Sequence, residues 1–125
     1  MDFKKLLAYQ KAFNLLKAKD YPRAVPKFQN FLSKYPHGHY AANAHFWLGE
    51  VYLLQGQPDL AQTEYRKIIT DFPNSDKLSM AQLKLGFAYQ DQGNKAKARA
   101  QYQKVIKLYP HTPAANLAQQ KLNRP

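Results

Sequence analysis

Histidine is the residue type here that is best suited to hold a metal ion, and His37, His39 and His45 lie within nine residues of each other. A zinc site needs three or four ligands that converge with tight spacing. His37 is followed 37 residues later by Asn74 and after a further 37 by His111, each directly after a proline. This recurrence favours a turn or capping role, so we predict no metal ion and no cofactor.

Nucleophilic chemistry has no candidate group of residues in this sequence. There is no cysteine, and none of the three serines, Ser33, Ser75 and Ser79, stands in a Gly-x-Ser-x-Gly context. The glycines are isolated, so no glycine-rich phosphate loop is present. The eight acidic residues are scattered, and no pair stands out for acid–base catalysis. We therefore predict that the protein is not an enzyme.

The sequence contains no segment suited to insertion in a membrane. A fully apolar run such as 51–54 is far shorter than the roughly 20 residues that a spanning helix needs. The first residues, 1–8, do not open an apolar signal region. Two hypotheses remain for the location: a cytosolic protein, or the mature or excised part of an exported one.

One sequence pattern recurs through the chain with a period of 37 residues. Proline follows an aromatic residue at Pro36, Pro73 and Pro110, and other positions share the same spacing. Small residues recur at Ala12, Gly49 and Gly86 and at Ala24, Ala61 and Ala98, and aromatic residues recur at Phe28, Tyr65 and Tyr102. Such a period indicates a repeat architecture.

Each unit has the pattern of two helices joined by a turn. Apolar residues recur at helical spacing, Gly56 and Gly93 follow first helices, and the prolines stop second helices. We predict one all-α domain, a solenoid of three helix-turn-helix repeats and a C-terminal capping helix. Its parts are repeat 1 (1–36), repeat 2 (37–73), repeat 3 (74–110) and the cap (111–125).

The order of these residues resembles the tetratricopeptide repeat (TPR), and the resemblance covers essentially the whole chain. The second unit carries it at Leu48, Gly49, Tyr52, Gly56, Ala61, Tyr65 and Pro73. The first unit departs from it, with Lys19 in place of the turn glycine and Pro26 inside the second helix, where proline can kink a helix. The usual period is 34, and we expect each added segment to lengthen the start of a first helix by about one turn.

The resemblance implies that the first helices line a concave groove that binds a partner protein. We expect Tyr9, Phe13, Phe46 and Phe87 to be exposed aromatic anchors there. Leu6, Leu16 and Leu83 could equally pack between units. The full set of predicted partner-binding residues is Tyr9, Phe13, Asn43, Phe46, Trp47, Glu50, Leu53, Leu54, Met80, Leu83, Phe87, Gln90 and Asp91.

The groove lacks the carboxylate clamp with which tetratricopeptide co-chaperones hold the C-terminus of heat-shock proteins. The clamp uses Lys, Asn, Asn, Lys and Arg, and of the corresponding positions only Lys84 could serve. The other corresponding positions are Tyr9, Phe13, Trp47 and Met80.

The formal net charge of +11 fits an anionic partner or a lysine-rich solvated surface. The basic residues fall mostly on second helices and form no single stripe, so we predict no nucleic-acid binding and a groove that is aromatic instead of basic. These residues are Arg23, Lys27, Lys34, Arg66, Lys67, Lys104 and Lys107.

Particular strings also resemble the repeats of the Tol-Pal accessory protein family, called YbgF or CpoB. They are 18–21, 31–36, 46–50 and 96–98. The resemblance implies a periplasmic location and two partners, TolA and a bifunctional peptidoglycan synthase, with a role in coupling outer-membrane constriction to septal wall synthesis. It also implies a signal peptide and a trimerising coiled coil before the repeats, and we expect the repeat domain alone to be a monomer.

Two other functions stay open at this point. One is an assembly module for outer-membrane proteins or lipoproteins, since related repeat lengths occur there. The other is a basic surface that binds an anionic polymer such as nucleic acid or cell-wall glycan.

Overall fold

The computed structural model describes residues 2–124, and this part of the chain folds into seven helices and no strand. Met1 and Pro125, the outermost residues of the predicted first repeat and cap, lie outside the described residues. The all-α repeat class is confirmed. The helices are α1 (Phe3–Lys17), α2 (Tyr21–Lys34), α3 (His39–Leu54), α4 (Pro58–Asp71), α5 (Leu78–Asp91), α6 (Lys95–Leu108) and α7 (Pro113–Leu122).

The helices pack as three hairpins in a row, closed by α7. The hairpins are α1 with α2, α3 with α4, and α5 with α6. The second helix of each of the first two hairpins also contacts the first helix of the next hairpin, and α6 contacts α7. The last helix, α7, packs against both α5 and α6. One continuous hydrophobic core therefore runs from the first unit to the cap. Across residues 2–124, no helix is long and apolar enough to cross a membrane.

Within a unit, the two helices approach closely because a buried ring lies directly against a glycine. A Cβ atom added to Gly49 would lie 2.6 Å from Cε1 of Tyr65, and one added to Gly86 would lie 2.5 Å from Cε1 of Tyr102. Both rings are almost completely buried. The small residues at this position of the repeat are therefore required by packing.

The first unit keeps the geometry of the others despite its two departures from the repeat pattern. Lys19 takes the left-handed conformation, with φ of 60°, that Gly56 and Gly93 take at 71° and 82°. The amide of Asp20 then donates to the carbonyl of Leu15 at 2.9 Å, and the equivalent bond recurs in the next two units. The second departure, Pro26, leaves α2 assigned as one helix from Tyr21 to Lys34.

The expected lengthening of the first helices is wrong in the third unit. α3 begins at His39, directly after Gly38, but α5 begins only at Leu78. Residues 73–77 form turns instead, in which Oγ of Ser75 accepts a hydrogen bond from the amide of Lys77 at 3.0 Å. Short polar side chains compete with the helix for backbone groups in this way.

The contact between Gly49 and Tyr65 leads to a test of the packing account. Gly49→Ala should lower the free energy of unfolding by roughly 1–2 kcal/mol, since the overpacking outweighs the better helix propensity of alanine. Thermal unfolding followed by circular dichroism measures this change. A rise in the melting temperature would contradict the close approach.

The conformation of Lys19 leads to a second test, with the opposite sign. Lys19→Gly should raise the free energy of unfolding by about 0.5–1 kcal/mol, because glycine adopts a positive φ without steric cost. Lys11→Gly, within α1, is the control and should lower it by about 1 kcal/mol. Equal destabilisation of both variants in chemical denaturation would contradict a steric cost at Lys19.

Candidate functional site

The first helices of successive units touch one another on one face of the array through a contact that recurs three times. Each contact joins two side chains that are 34 residues apart in the sequence. We call the surface of α1, α3, α5 and α7 that carries them the inner face. The pairs are Phe13 with Trp47, Glu50 with Lys84, and Phe87 with Lys121.

The first pair is aromatic. The ring centroids of Phe13 and Trp47 are 5.6 Å apart, and Phe13 also stacks on Tyr9 at 6.1 Å. Nε1 of Trp47 donates a hydrogen bond to the hydroxyl of Tyr9 at 2.8 Å. Phe13 and Trp47 are both partly exposed. This end of the inner face therefore offers fixed aromatic surface to a partner.

The second pair is ionic. Nζ of Lys84 lies 3.2 Å from Oε2 of Glu50, and both side chains are about three-quarters buried. The hydroxyl of Tyr65 donates to Oε1 of Glu50 at 2.6 Å. Burial raises the pKa of Tyr65, and the charge of Glu50 raises it further, so Tyr65 remains a donor at neutral pH. Glu50 is thus held from two sides and has little freedom to turn toward a ligand.

The third pair joins a ring to a cation. Nζ of Lys121 lies 4.8 Å from the ring centroid of Phe87, and Nζ of Lys84 approaches the same ring at 5.2 Å. The Phe87 ring also meets the Tyr102 ring edge to face at 6.1 Å. The paired side chains therefore change along the array, from ring with ring at α1 and α3 to a cation over a ring at α5 and α7.

Lysines lie over the aromatic rings along the whole inner face. Nζ of Lys77 lies 5.3 Å from the ring centroid of Phe46 and 5.2 Å from that of Trp47, and Nζ of Lys17 lies 5.9 Å from that of Phe13. These distances permit cation–π attraction. The prediction of an aromatic and not basic groove was wrong, because the surface is both. A signal existed in the sequence, since Lys84 and Lys121 stand 37 and 74 residues after Trp47.

Three of the predicted partner-binding residues are buried. Tyr9 and Phe46 are only 8% and 5% exposed, and Leu83 is not exposed at all. Tyr9 packs edge-on against Phe28 of its own unit, and Phe46 packs edge-on against Tyr65. The prediction that Tyr9 and Phe46 are exposed anchors was therefore wrong, and we also remove Leu83 from the proposed contact surface.

The other predicted residues have surface that a partner could touch. Leu54 is 69% exposed, the largest value among them for an apolar side chain. Gln90 and Asp91 are exposed too. The remaining members are partly buried, and they are Phe13, Asn43, Trp47, Glu50, Leu53, Met80 and Phe87.

His45 and His37 lie in a different region from the contact pairs of the inner face. Nδ1 of His45 lies 2.8 Å from Oε1 of Glu64, where both side chains are largely buried, and this pair joins α3 to α4. His45 and His37 border a cleft of about 560 Å³ that also contains Lys67 and Asp71, so its charge is mixed. Within residues 2–124 there is no group of three or more His, Cys, Asp or Glu side chains that could hold a metal ion.

Comparison with known proteins supports the repeat assignment. Tetratricopeptide repeat models match residues 40–111 and residues 7–38. The TPR domain of Arabidopsis OM64 has a TM-score of 0.75 and 18% identity, with 96% of this chain and 94% of that chain covered. That likeness concerns the fold alone.

Curated relatives add a more specific match. The cell division coordinator CpoB of Pseudomonas putida is 51% identical over 53 residues, and a second CpoB sequence from the same species matches equally. The matched part is 42% of this chain but 20% of the relative's length. The resemblance to CpoB repeats is confirmed over this segment.

The ionic pair of the inner face can be tested by a double-mutant cycle on Glu50→Gln and Lys84→Gln. Because the pair is mostly but not fully buried, we expect a coupling energy of about 0.5–1 kcal/mol that shrinks in 1 M salt. The Asp20–Arg23 pair, in which Arg23 is 75% exposed, is the comparison and should couple less. Urea unfolding of the single and double variants supplies the energies. A coupling near zero at low salt would contradict the contact.

Proposed function

We propose that this chain, which belongs to the tetratricopeptide repeat family, is a protein-interaction module whose inner face holds a segment of a partner protein. The observation that carries the proposal is the partly exposed row of Phe13, Trp47 and Phe87 along successive first helices. Partly exposed aromatic side chains held in fixed positions lose little entropy on binding and are frequent interface anchors.

The arrangement of the three contact pairs along the inner face favours an elongated partner. The three pairs lie one unit apart, so a single side chain cannot reach all of them, whereas a helix or extended peptide can follow them from α1 to α7. Leu54, exposed on α3, adds apolar surface. The partner should therefore contain apolar side chains that recur along one face.

The likeness to CpoB supports a more specific proposal. We propose that the chain is a periplasmic adaptor of the Tol-Pal system in cell division, with TolA and a peptidoglycan synthase as partners. In this role it would join outer-membrane constriction to septal wall synthesis without catalysing a reaction. Two observations support the proposal: the 51% identity over 53 residues to a protein named cell division coordinator, and an inner face suited to peptide capture. The full-length protein would form a trimer through a coiled coil outside this chain.

The experiment measures the affinity of the chain for the periplasmic region of TolA by isothermal titration calorimetry. Replacing Phe13 and Phe87 together by serine should weaken binding at least about tenfold, since each residue supplies partly exposed aromatic surface. Phe46 is left in place because its burial makes it necessary for the fold.

The control is Leu60→Ser, which removes a 46% exposed apolar side chain from α4, away from the inner face. This variant should bind as the unchanged chain does. Thermal unfolding of each variant separates lost contacts from lost structure. Unaltered affinity in the folded Phe13 and Phe87 variant would exclude the inner face as the binding surface.

A further inference from the structure

The inner face ends in a cleft of about 280 Å³ between α5, α6 and α7. Lys121 borders the cleft and also lies over the ring of Phe87. The cleft is therefore continuous with the row of partly exposed aromatic side chains on the inner face. Its polar lining consists of Gln90, Lys95, Arg99, Tyr102, Lys121 and Arg124.

The charge of this lining is strongly one-sided. None of its four cationic side chains forms a salt bridge within residues 2–124, where the observed ion pairs involve other residues. Within the part of the chain that the structure describes, the lining contains no acidic side chain, and Asp91, at the end of α5, is close enough for its charge to act on Tyr102. Four cations around one cavity favour an anionic occupant.

The floor of the cleft is neutral and fixed. Tyr102 is 3% exposed, and its hydroxyl donates to Oε1 of Gln90 at 2.7 Å. Burial raises the pKa of Tyr102 to about 12, and the charge of Asp91 contributes to the rise. Tyr102 therefore adds no negative charge to the cleft near neutral pH.

We propose that this cleft binds the acidic end of a protein segment whose apolar part lies along the inner face. The proposal rests on the proposed function and adds the chemistry and direction of the partner. Carboxylates match the guanidinium and ammonium groups of Arg99 and Lys121. The segment is oriented with its apolar side chains at Phe13 and Trp47 and its acidic residues at α7.

A polypeptide fits this surface better than a nucleic acid does. Between the first aromatic pair and the cleft, the inner face also carries a carboxylate, Glu50, which pairs with Lys84 and interrupts the row of lysines. A phosphate backbone would need cations along its whole length. Lys84 also lies outside the cleft lining, so the cleft is a different arrangement from the carboxylate clamp of co-chaperones.

The test uses a synthetic 14-residue helical peptide without tryptophan, with leucines along one face and four glutamates at its C-terminal end. Trp47 is the single tryptophan of the chain and lies on the inner face, so its emission reports binding. A second peptide has glutamine in place of each glutamate. The protein variants are Arg99→Gln with Lys121→Gln and, as control, Lys67→Gln with Lys104→Gln, two exposed lysines on α4 and α6.

The acidic peptide should bind the unchanged chain and the control variant alike, and the Arg99 and Lys121 variant about tenfold more weakly at low salt. The glutamine peptide should bind all three proteins equally and weakly. Equal affinity of the acidic peptide for all three proteins overturns the proposal. So does equal affinity of the two peptides for the unchanged chain, or no saturation by the acidic peptide below ~1 mM.

Two further outcomes separate this proposal from the proposed function. If Phe13→Ser with Phe87→Ser abolishes peptide binding while the Arg99 and Lys121 variant retains it, the inner face binds the partner and the cleft proposal fails. If only the Arg99 and Lys121 variant loses binding, the cleft stands and the inner-face proposal fails. An oligonucleotide of equal charge that binds more tightly than the acidic peptide would overturn the choice of a protein segment.

Discussion

The contact of a buried ring with a glycine inside each hairpin is the constraint on which the other features of this molecule depend. Gly49 against Tyr65 and Gly86 against Tyr102 set the distance between the two helices of a unit. The same tyrosines extend past the glycines to polar partners on the first helices, Glu50 and Gln90. The packing contact therefore also fixes groups on or beside the inner face, and a binding surface is held by the core instead of by a loop.

With the hairpin distance set, the first helices meet at a spacing of 34 residues, three residues fewer than the repeat period. This spacing brings the same two positions of the repeat into contact at each junction between units, but their side chains differ. The contacts are ring with ring, carboxylate with ammonium, and ring with ammonium. One backbone arrangement thus produces a surface with a direction, since its first pair joins two rings and its last pair borders a cleft lined by four cations. Such a gradient can orient a partner as well as hold it.

The architecture could be predicted from the sequence because a 37-residue period aligns glycines, alanines, aromatic residues and prolines. The exposure of individual side chains on the first helices could not be predicted in this way. In α3, eight of the 16 residues are buried, and the helix has no polar stripe to separate Phe46 in the core from Trp47 at the surface. The contacts of lysine with the rings also depend on packing, since Lys77 reaches Phe46 and Trp47 from the turn before α5. The spacing of apolar residues along a helix does not predict where the side chain of a turn residue lies.

The central claim is that the partner lies on the inner face, and fluorine NMR of Trp47 tests it most directly. A chain labelled with 5-fluorotryptophan carries one reporter, because Trp47 is the single tryptophan. That reporter lies between Phe13 and Lys77. We predict that its resonance shifts or broadens as the unlabelled TolA region is added, in step with the saturation measured by calorimetry. A resonance that stays unchanged at full saturation would contradict the account.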